Sequence, residues 1–379
     1  MEKIVQSLLG PEFFDLYDKV QERKRLSFND GIRLYETPNL TAVGYLANLA
    51  REMRHGSKTY FVRNQHLNYT NICNKFCKFC SFYAKKGGPA PYEFSLEEIE
   101  ERLLRYRHIP ITELHVVGGI NPRLPYSYYL DLIRMIKKVR PETHIKAFTA
   151  VEIVQIAEIG QTSIEHALID LKRAGLDSLP GGGIEILSDR VHQEIFGKKL
   201  NGEEWKNVAR AAASLNLPQY ATMLYGHIET IAERVSHLIQ LRELQDETKH
   251  FLTMTPLSFH PEQTELSHLS PLTGDEDLRN IALSRLMLDN FDHIKSFWIM
   301  NTPAITQIAL WYGADDADGL VQEYEVTYKE GDFGNKKQFL TDAAMMQMIK
   351  EAGRIPVERD SLYNDITKQS SKRIPLPCC

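Results

Sequence analysis

From His66 onward the chain alternates short β-type runs with amphipathic helical ones, and this alternation constrains the fold more than any other feature. "HLNYTNI" is rich in β-branched and aromatic residues. "SLEEIEERLLRYRHI" then reads as a helix, with Ser95 and Glu98 placed for a capping box. "ITELHVVGG" is a strand followed by the helix "YSYYLDLIRMIKKVRP", and "HIKAFTA" a strand followed by "SIEHALIDLKRAG", closed by Gly175. The series continues with strands "LDSLPGGG", "PQYATMLYG", "HFLTMTPLSF" and "DHIKSFWIMN", separated by helices such as "EEWKNVARAAASLN" and "IAERVSHLIQLRELQDET". Strands alternating with helices of this length predict parallel βαβ units. Six or more in succession predict a (β/α) TIM-type barrel, full or partial. A doubly wound sheet is the alternative.

On such a barrel the chemistry belongs to the loops at the carboxyl ends of the strands. Five conspicuous loops fall there: the segment "NICNKFCKFCSF", then "GGINP", "GGGIEI", "YGHIET" and "LSFHPEQT". The first holds Cys73, Cys77 and Cys80. The 379-residue chain has only five cysteines, and the other two, Cys378 and Cys379, are its last residues. Structural zinc usually wants four ligands, and this stretch offers three. His66 as a fourth lies seven residues upstream, outside the usual knuckle spacing. A redox C-x-x-C pair leaves the third cysteine unexplained. A four-iron cluster normally takes four thiolates, so three leave one iron open. The surrounding strand–loop–helix context favours the cluster.

Composition narrows the class. Hydrophobic residues at 43% and charged residues at 25% are ordinary for a globular protein. A net charge of −5 argues for no nucleic-acid or anionic-membrane partner. No stretch reaches the roughly 18 apolar residues of a membrane span. The start, "MEKIVQSLLGPEFF", lacks the pattern of a secretory signal, so a reducing cytoplasm is the expected location.

C-x-x-x-C-x-x-C with Phe79 before the last cysteine, on the first loop of a (β/α) barrel, resembles the radical S-adenosylmethionine superfamily. The resemblance implies that the three thiolates hold a [4Fe–4S] cluster and that S-adenosylmethionine chelates its fourth iron. It further implies a backbone site for the methionyl amine at Gly118 and Gly119, where Ile120 stands in place of the more usual acid. Glu185 is implied to bind ribose hydroxyls or the amine, and Arg190 the methionyl carboxylate. Leu224, Gly226 and Phe79 are implied to line the adenine.

"LPGGGIEILSDRV", "ATMLYGHIET", "PLSFHPEQTEL" and "GADDADG" narrow the resemblance to the aminofutalosine synthase family of the futalosine route to menaquinone. Dehypoxanthine futalosine cyclases and deazaflavin synthase subunits share the cysteine loop and are the alternatives; an iron–sulfur electron carrier is the non-enzyme one. The implied substrate is 3-[(1-carboxyvinyl)oxy]benzoate, an aryl enol ether dicarboxylate, and the implied reductant a flavodoxin- or ferredoxin-like donor. Two carboxylates in a dry pocket need strong donors. The candidates are His66, His227 and His260, with Arg63 and Arg285 behind them. Residues 1–60 are expected to form a helical extension, 61–311 the barrel, and 312–379 a C-terminal extension with a disordered tail. "GADDADG" is expected to be a turn.

Overall fold

The computed structural model describes residues 3–86, 88–320 and 340–367. Among them are nine strands: β1 (Lys58–Val62), β2 (Asn64–Leu67), β3 (Glu113–Val116), β4 (His144–Ala147), β5 (Gln219–Tyr225), β6 (Phe251–Ser258), β7 (His293–Ile294), β8 (Asp316–Gly319) and β9 (Ile355–Arg359). Every pairing between them is parallel. Parallel neighbours require long crossovers, which the intervening helices supply.

The pairings can be followed around the molecule. β2, β3 and β4 form one ladder, with Asn64 opposite Glu113 and Glu113 opposite His144. Single bridges from Lys146 to Ser178 and from Leu179 to Gln219 carry the row to β5. β5, β6 and β7 follow, and a bridge from Lys295 to Asp316 leads to β8, which pairs with β1. β1 runs through Arg63 into β2, so the row returns to the segment where it began. This is the expected (β/α) barrel.

Three local expectations are corrected. "LDSLPGGG" is not a full strand; only Ser178 and Leu179 bridge their neighbours before Pro180, which has no N–H to continue a ladder. "DHIKSFWIMN" is a strand only at His293–Ile294 and turns helical over Trp298–Asn301. "GADDADG" is not a turn, because Asp316–Gly319 is the buried strand β8. Its acids tolerate burial because each meets a cation or strong donor. Asp316 pairs with Arg359 at 2.7 Å and accepts from the Tyr363 hydroxyl at 2.6 Å; Asp318 pairs with Lys295 at 2.6 Å.

The N-terminal region is helical up to His55, with Phe28–Glu36 started by a Ser27–Asp30 capping box and Leu40–His55 stopped at Gly56. It packs on the barrel's outer helices: the Tyr35 hydroxyl donates to Asn280 at 2.8 Å. On the C-terminal side the helix Asp342–Glu351 leads into β9, which pairs with β1 from Lys58↔Ile355 to Val62↔Arg359. β1 and β8 thus belong to the barrel's strand row, and β9 adds to it by pairing with β1. The tail with Cys378 and Cys379 lies outside the described residues. No helix among the described residues is long and apolar enough to cross a membrane.

Candidate active site

A cavity of about 380 Å³ opens among the carboxyl-end loops and reaches down between the strands. Its mouth is formed by Cys73, Cys77, Cys80 and Phe79, with Gly118, Glu185, Lys199 and Leu224. Its floor is formed by strand residues: His66, His115, Lys146, Tyr220, Lys295 and Asp318. His260 lies on its wall.

The cysteine loop is held from two sides. Asn74 N donates to Ile120 O at 3.0 Å, and Lys78 N to Ile195 O at 2.9 Å. The three thiols are free. Burial pushes the Cys77 thiol up to about 12 and raises that of Cys80 as well. Three thiols on one short loop beside an open cavity fit a cluster that takes one thiolate per iron and leaves its fourth iron open.

Gly118 and Gly119 have separate tasks. Gly118 lies on the wall, and its N–H donates to Glu152 Oε1 at 2.9 Å. Gly119 is not on the wall but presses on the peptide that leads into Cys73: a Cβ there would sit 2.8 Å from the Ile72 carbonyl carbon. Only glycine permits that approach. Glu152 also accepts from the Tyr69 hydroxyl at 2.8 Å and from Thr149 N and Oγ1, both at 2.7 Å. Burial pushes its carboxyl up to about 7 despite those bonds. In the sequence Glu152 is visible only as the acid of a Thr149 capping box.

Glu185 is held at φ 53, a left-handed conformation that an ordinary residue adopts only under local constraint. Its carboxylate pairs with Lys199 at 2.6 Å, and its carbonyl accepts from Leu224 N at 2.8 Å. The Lys199 ammonium also stands 5.1 Å from the Phe79 ring centroid. Arg190, by contrast, is not brought to the cavity. Its guanidinium is bound by Glu233 at 2.6 Å, Glu194 at 3.0 Å and the Ile228 carbonyl at 2.8 Å. Lys199, together with Lys75 of the cysteine loop, lines the mouth in its place.

The histidines divide similarly. His66 lies on the floor against His115, with ring centroids 4.7 Å apart. Burial pushes His66 down to about 4 and His115 well below its ordinary value, so both are neutral imidazoles. His260 reaches the wall and donates from Nε2 to Met300 O at 3.1 Å. His227 does not reach it. Its covered ring ties the following turn together, donating from Nε2 to Leu224 O at 3.1 Å and accepting Ile228 N at 2.8 Å. Gly226 lies off the wall too, at φ 91 against Leu272. Arg63 is bound by Glu358 and Asp342, and Arg285 by Asp315 and the carbonyls of Gly313 and Asp292; neither faces the cavity.

Sequence reasoning missed the floor cations. Lys146 pairs with Glu113, and Lys295 with Asp318. Burial and the neighbouring Lys295 pull Lys146 below the ordinary lysine value. Burial acts on Lys295 too, but Asp318 and Asp316 outweigh it and hold that ammonium above the usual value. The signal was the tripeptide His-Ile-Lys, which appears in both "HIKAF" and "HIKSF".

Comparison with known proteins adds to this geometry. Residues 67–241 match the model of the radical SAM superfamily, and residues 248–372 that of the CofH/MqnC C-terminal region. The aminodeoxyfutalosine synthase of Thermus thermophilus is 41% identical over 96% of this chain and 98% of its own length. That of Streptomyces coelicolor is 39% identical over 92% of each. The cyclic dehypoxanthine futalosine synthase of Halalkalibacterium halodurans is 34% identical over 93% of this chain and 94% of its own. Among solved structures, methylornithine synthase (PylB) superposes with a TM-score of 0.73 at 17% identity, over 90% of this chain and 97% of that one. With the thiol loop, its barrel and these relatives in agreement, the chain belongs to the radical SAM superfamily, with a C-terminal region of the CofH/MqnC type.

Proposed function

We propose that the chain is an aminodeoxyfutalosine synthase, joining the adenosyl group of S-adenosylmethionine to 3-[(1-carboxyvinyl)oxy]benzoate, with release of methionine and of one carboxylate carbon as bicarbonate or CO2. The observation that carries the reading is that one cavity holds both the three-thiol mouth and a separate polar floor. A substrate on that floor faces the mouth with protein walls around it. Similarity to synthases over nearly the full length of both chains supports the choice of substrate.

Cys73, Cys77 and Cys80 would hold the [4Fe–4S] cluster. When bound and reduced, it supplies the electron that cleaves the sulfonium, freeing the 5′-carbon to add to the vinyl group. The chain's own residues bind and orient. The Gly118 backbone, braced by Glu152, presents its carbonyl side to the methionyl amine, while Lys199 meets the methionyl carboxylate and Glu185 the ribose. Phe79 and Leu224 enclose the adenine and exclude water. His66 and His260, on floor and wall, contact the substrate. A flavodoxin- or ferredoxin-like protein delivers the electron, and free thiols suit the reducing cytoplasm.

The test is to offer the reduced holoenzyme the vinyl ether and dehypoxanthine futalosine separately and to weigh the products. The reading expects an adenosyl adduct from the first and no change in the second. Cyclisation of the second with the first untouched would move the chain to the cyclase group.

A further inference from the structure

The deepest part of the cavity carries two ammonium groups on one aromatic ring. Lys146 stands 4.5 Å from the Tyr220 ring centroid and Lys295 6.0 Å from it. The ring is fixed in place, because the Tyr220 hydroxyl donates to Ser361 O at 2.7 Å. The two lysines come from different sides of the barrel: Lys146 lies within β4 opposite His115 of β3, and Lys295 follows β7 and bridges to β8. Their side chains are only 5% and 6% exposed.

Burying two like charges this close is costly unless something compensates. Each has one acid, Glu113 for Lys146 and Asp318 for Lys295. An ammonium has three N–H donors. Each uses one on its acid and leaves two without an acceptor among the described residues. Glu113 and Asp318 balance the two ammoniums in charge but not in hydrogen bonds, and His66 and His115 add no carboxylate. The spare N–H donors on this floor are what a bound carboxylate would fill.

We infer that Lys146 and Lys295 form a carboxylate subsite that takes the ring carboxylate of the aryl substrate. This rests on the function proposed above. The choice between the substrate's two carboxylates follows from position. The vinyl carbon has to meet the 5′-carbon near the cysteine mouth, which leaves the ring carboxylate as the far end, over the floor. A carboxylate between the ammoniums offsets their mutual repulsion and fills their free donors. The aryl ring then lies among Tyr220, His66 and His115. The lysines are positioning residues: they set how far the vinyl group rises toward the mouth.

The experiment uses reconstituted holoenzyme, two substrates and one fragment. The substrates are 3-[(1-carboxyvinyl)oxy]benzoate and 2-phenoxyacrylate, which lacks only the ring carboxylate. The fragment is 3-hydroxybenzoate, whose equilibrium binding is measured by calorimetry without turnover. The variants are Lys295→Met/Asp318→Asn and Lys146→Met/Glu113→Gln, each of which removes a lysine together with its acid and leaves no orphan charge. The wild type is expected to favour the full substrate over 2-phenoxyacrylate by about 100-fold or more in kcat/KM, as for loss of a buried charge-paired contact. In each variant that preference is expected to fall to within about threefold, with fragment binding lost and iron content retained. A wild type that handles both substrates alike overturns the subsite without any variant, so a variant that fails to fold does not protect the idea. Folded variants that keep the wild-type preference also overturn it. Lysine-dependent fragment binding by an enzyme that turns over neither ether would sink the proposed function while leaving the subsite standing.

Discussion

Gly119→Ala puts the link between the second strand's loop and the cysteine loop under direct strain. A Cβ at position 119 would lie 2.8 Å from the Ile72 carbonyl carbon and 3.1 Å from that of Asn71, nearer still to the Ile72 oxygen. Ordinary contact begins at 3.4 Å, and the obstacles are backbone atoms, which cannot swing aside as a side chain can. The peptide entering Cys73 therefore has to retreat by roughly half an ångström or more. The bonds Gly119 N–Thr70 O at 2.8 Å and Asn74 N–Ile120 O at 3.0 Å resist that movement from both sides. Overpacking of this kind costs about 1–3 kcal/mol, which in a chain of this size lowers Tm by about 1–4 °C. The displacement falls on Cys73, so iron bound after anaerobic reconstitution should drop to about half of wild type or less. Gly182→Ala is the control: its Cβ would meet only the Thr149 methyl at 3.3 Å. Iron analysis and thermal unfolding read both effects. A Gly119→Ala protein with wild-type iron and Tm would show that this contact does not set the thiol loop.

Four further outcomes follow from the site. Glu152→Ala strips the Gly118 N–H, the Thr149 N–H and the Tyr69 hydroxyl of their acceptor; it should cost about 3 kcal/mol or more of stability and weaken S-adenosylmethionine binding, and unchanged affinity would remove Glu152 from its bracing role. His66 and His237, both pushed by burial to about 4, are neutral when folded but take up a proton when unfolded below about 6.5. Glu152, raised to about 7, acts in the opposite sense between 4.5 and 7, but His115 adds to the histidine side. Stability should therefore fall as pH drops from 6.5 to 4.5, by on the order of 3 kcal/mol net; denaturation midpoints that hold steady or rise over that window would contradict the burial argument. His260→Ala should slow product formation with cluster content intact, and unaltered kinetics would take it out of the site. Arg190→Met should leave kcat and KM within about twofold of wild type, since its partners are the acids Glu233 and Glu194.

The barrel was legible because its signals are local. Alternating strand and helix patterns, the Ser95 capping box and the glycine stop after Ala174 each depend on residues a few positions apart. The thiol loop was legible for the same reason. What could not be read was pairing at long range. The acids of "DADG" resemble a solvated turn until Arg359, 43 residues away from Asp316, folds against them. Lys146 and Lys295 resemble strand ends until Glu113 and Asp318 are seen beneath them. Arg190 was misplaced by the same effect, because Glu233, 43 residues on, draws the guanidinium away from the mouth; His227 was misplaced by a local one, because Leu224 O and Ile228 N turn the imidazole into its own loop.

The central claim is that the polypeptide supplies three of the cluster's four ligands and leaves the last to the sulfonium cosubstrate. Hyperfine spectroscopy of the reduced holoenzyme with S-adenosylmethionine carrying a nitrogen-15 amine tests it most directly. A nitrogen-15 coupling at the cluster that vanishes when the unlabelled compound is exchanged in is the predicted result. A four-iron signal indifferent to the added compound, with a protein nitrogen, oxygen or sulfur at the fourth iron, would contradict it.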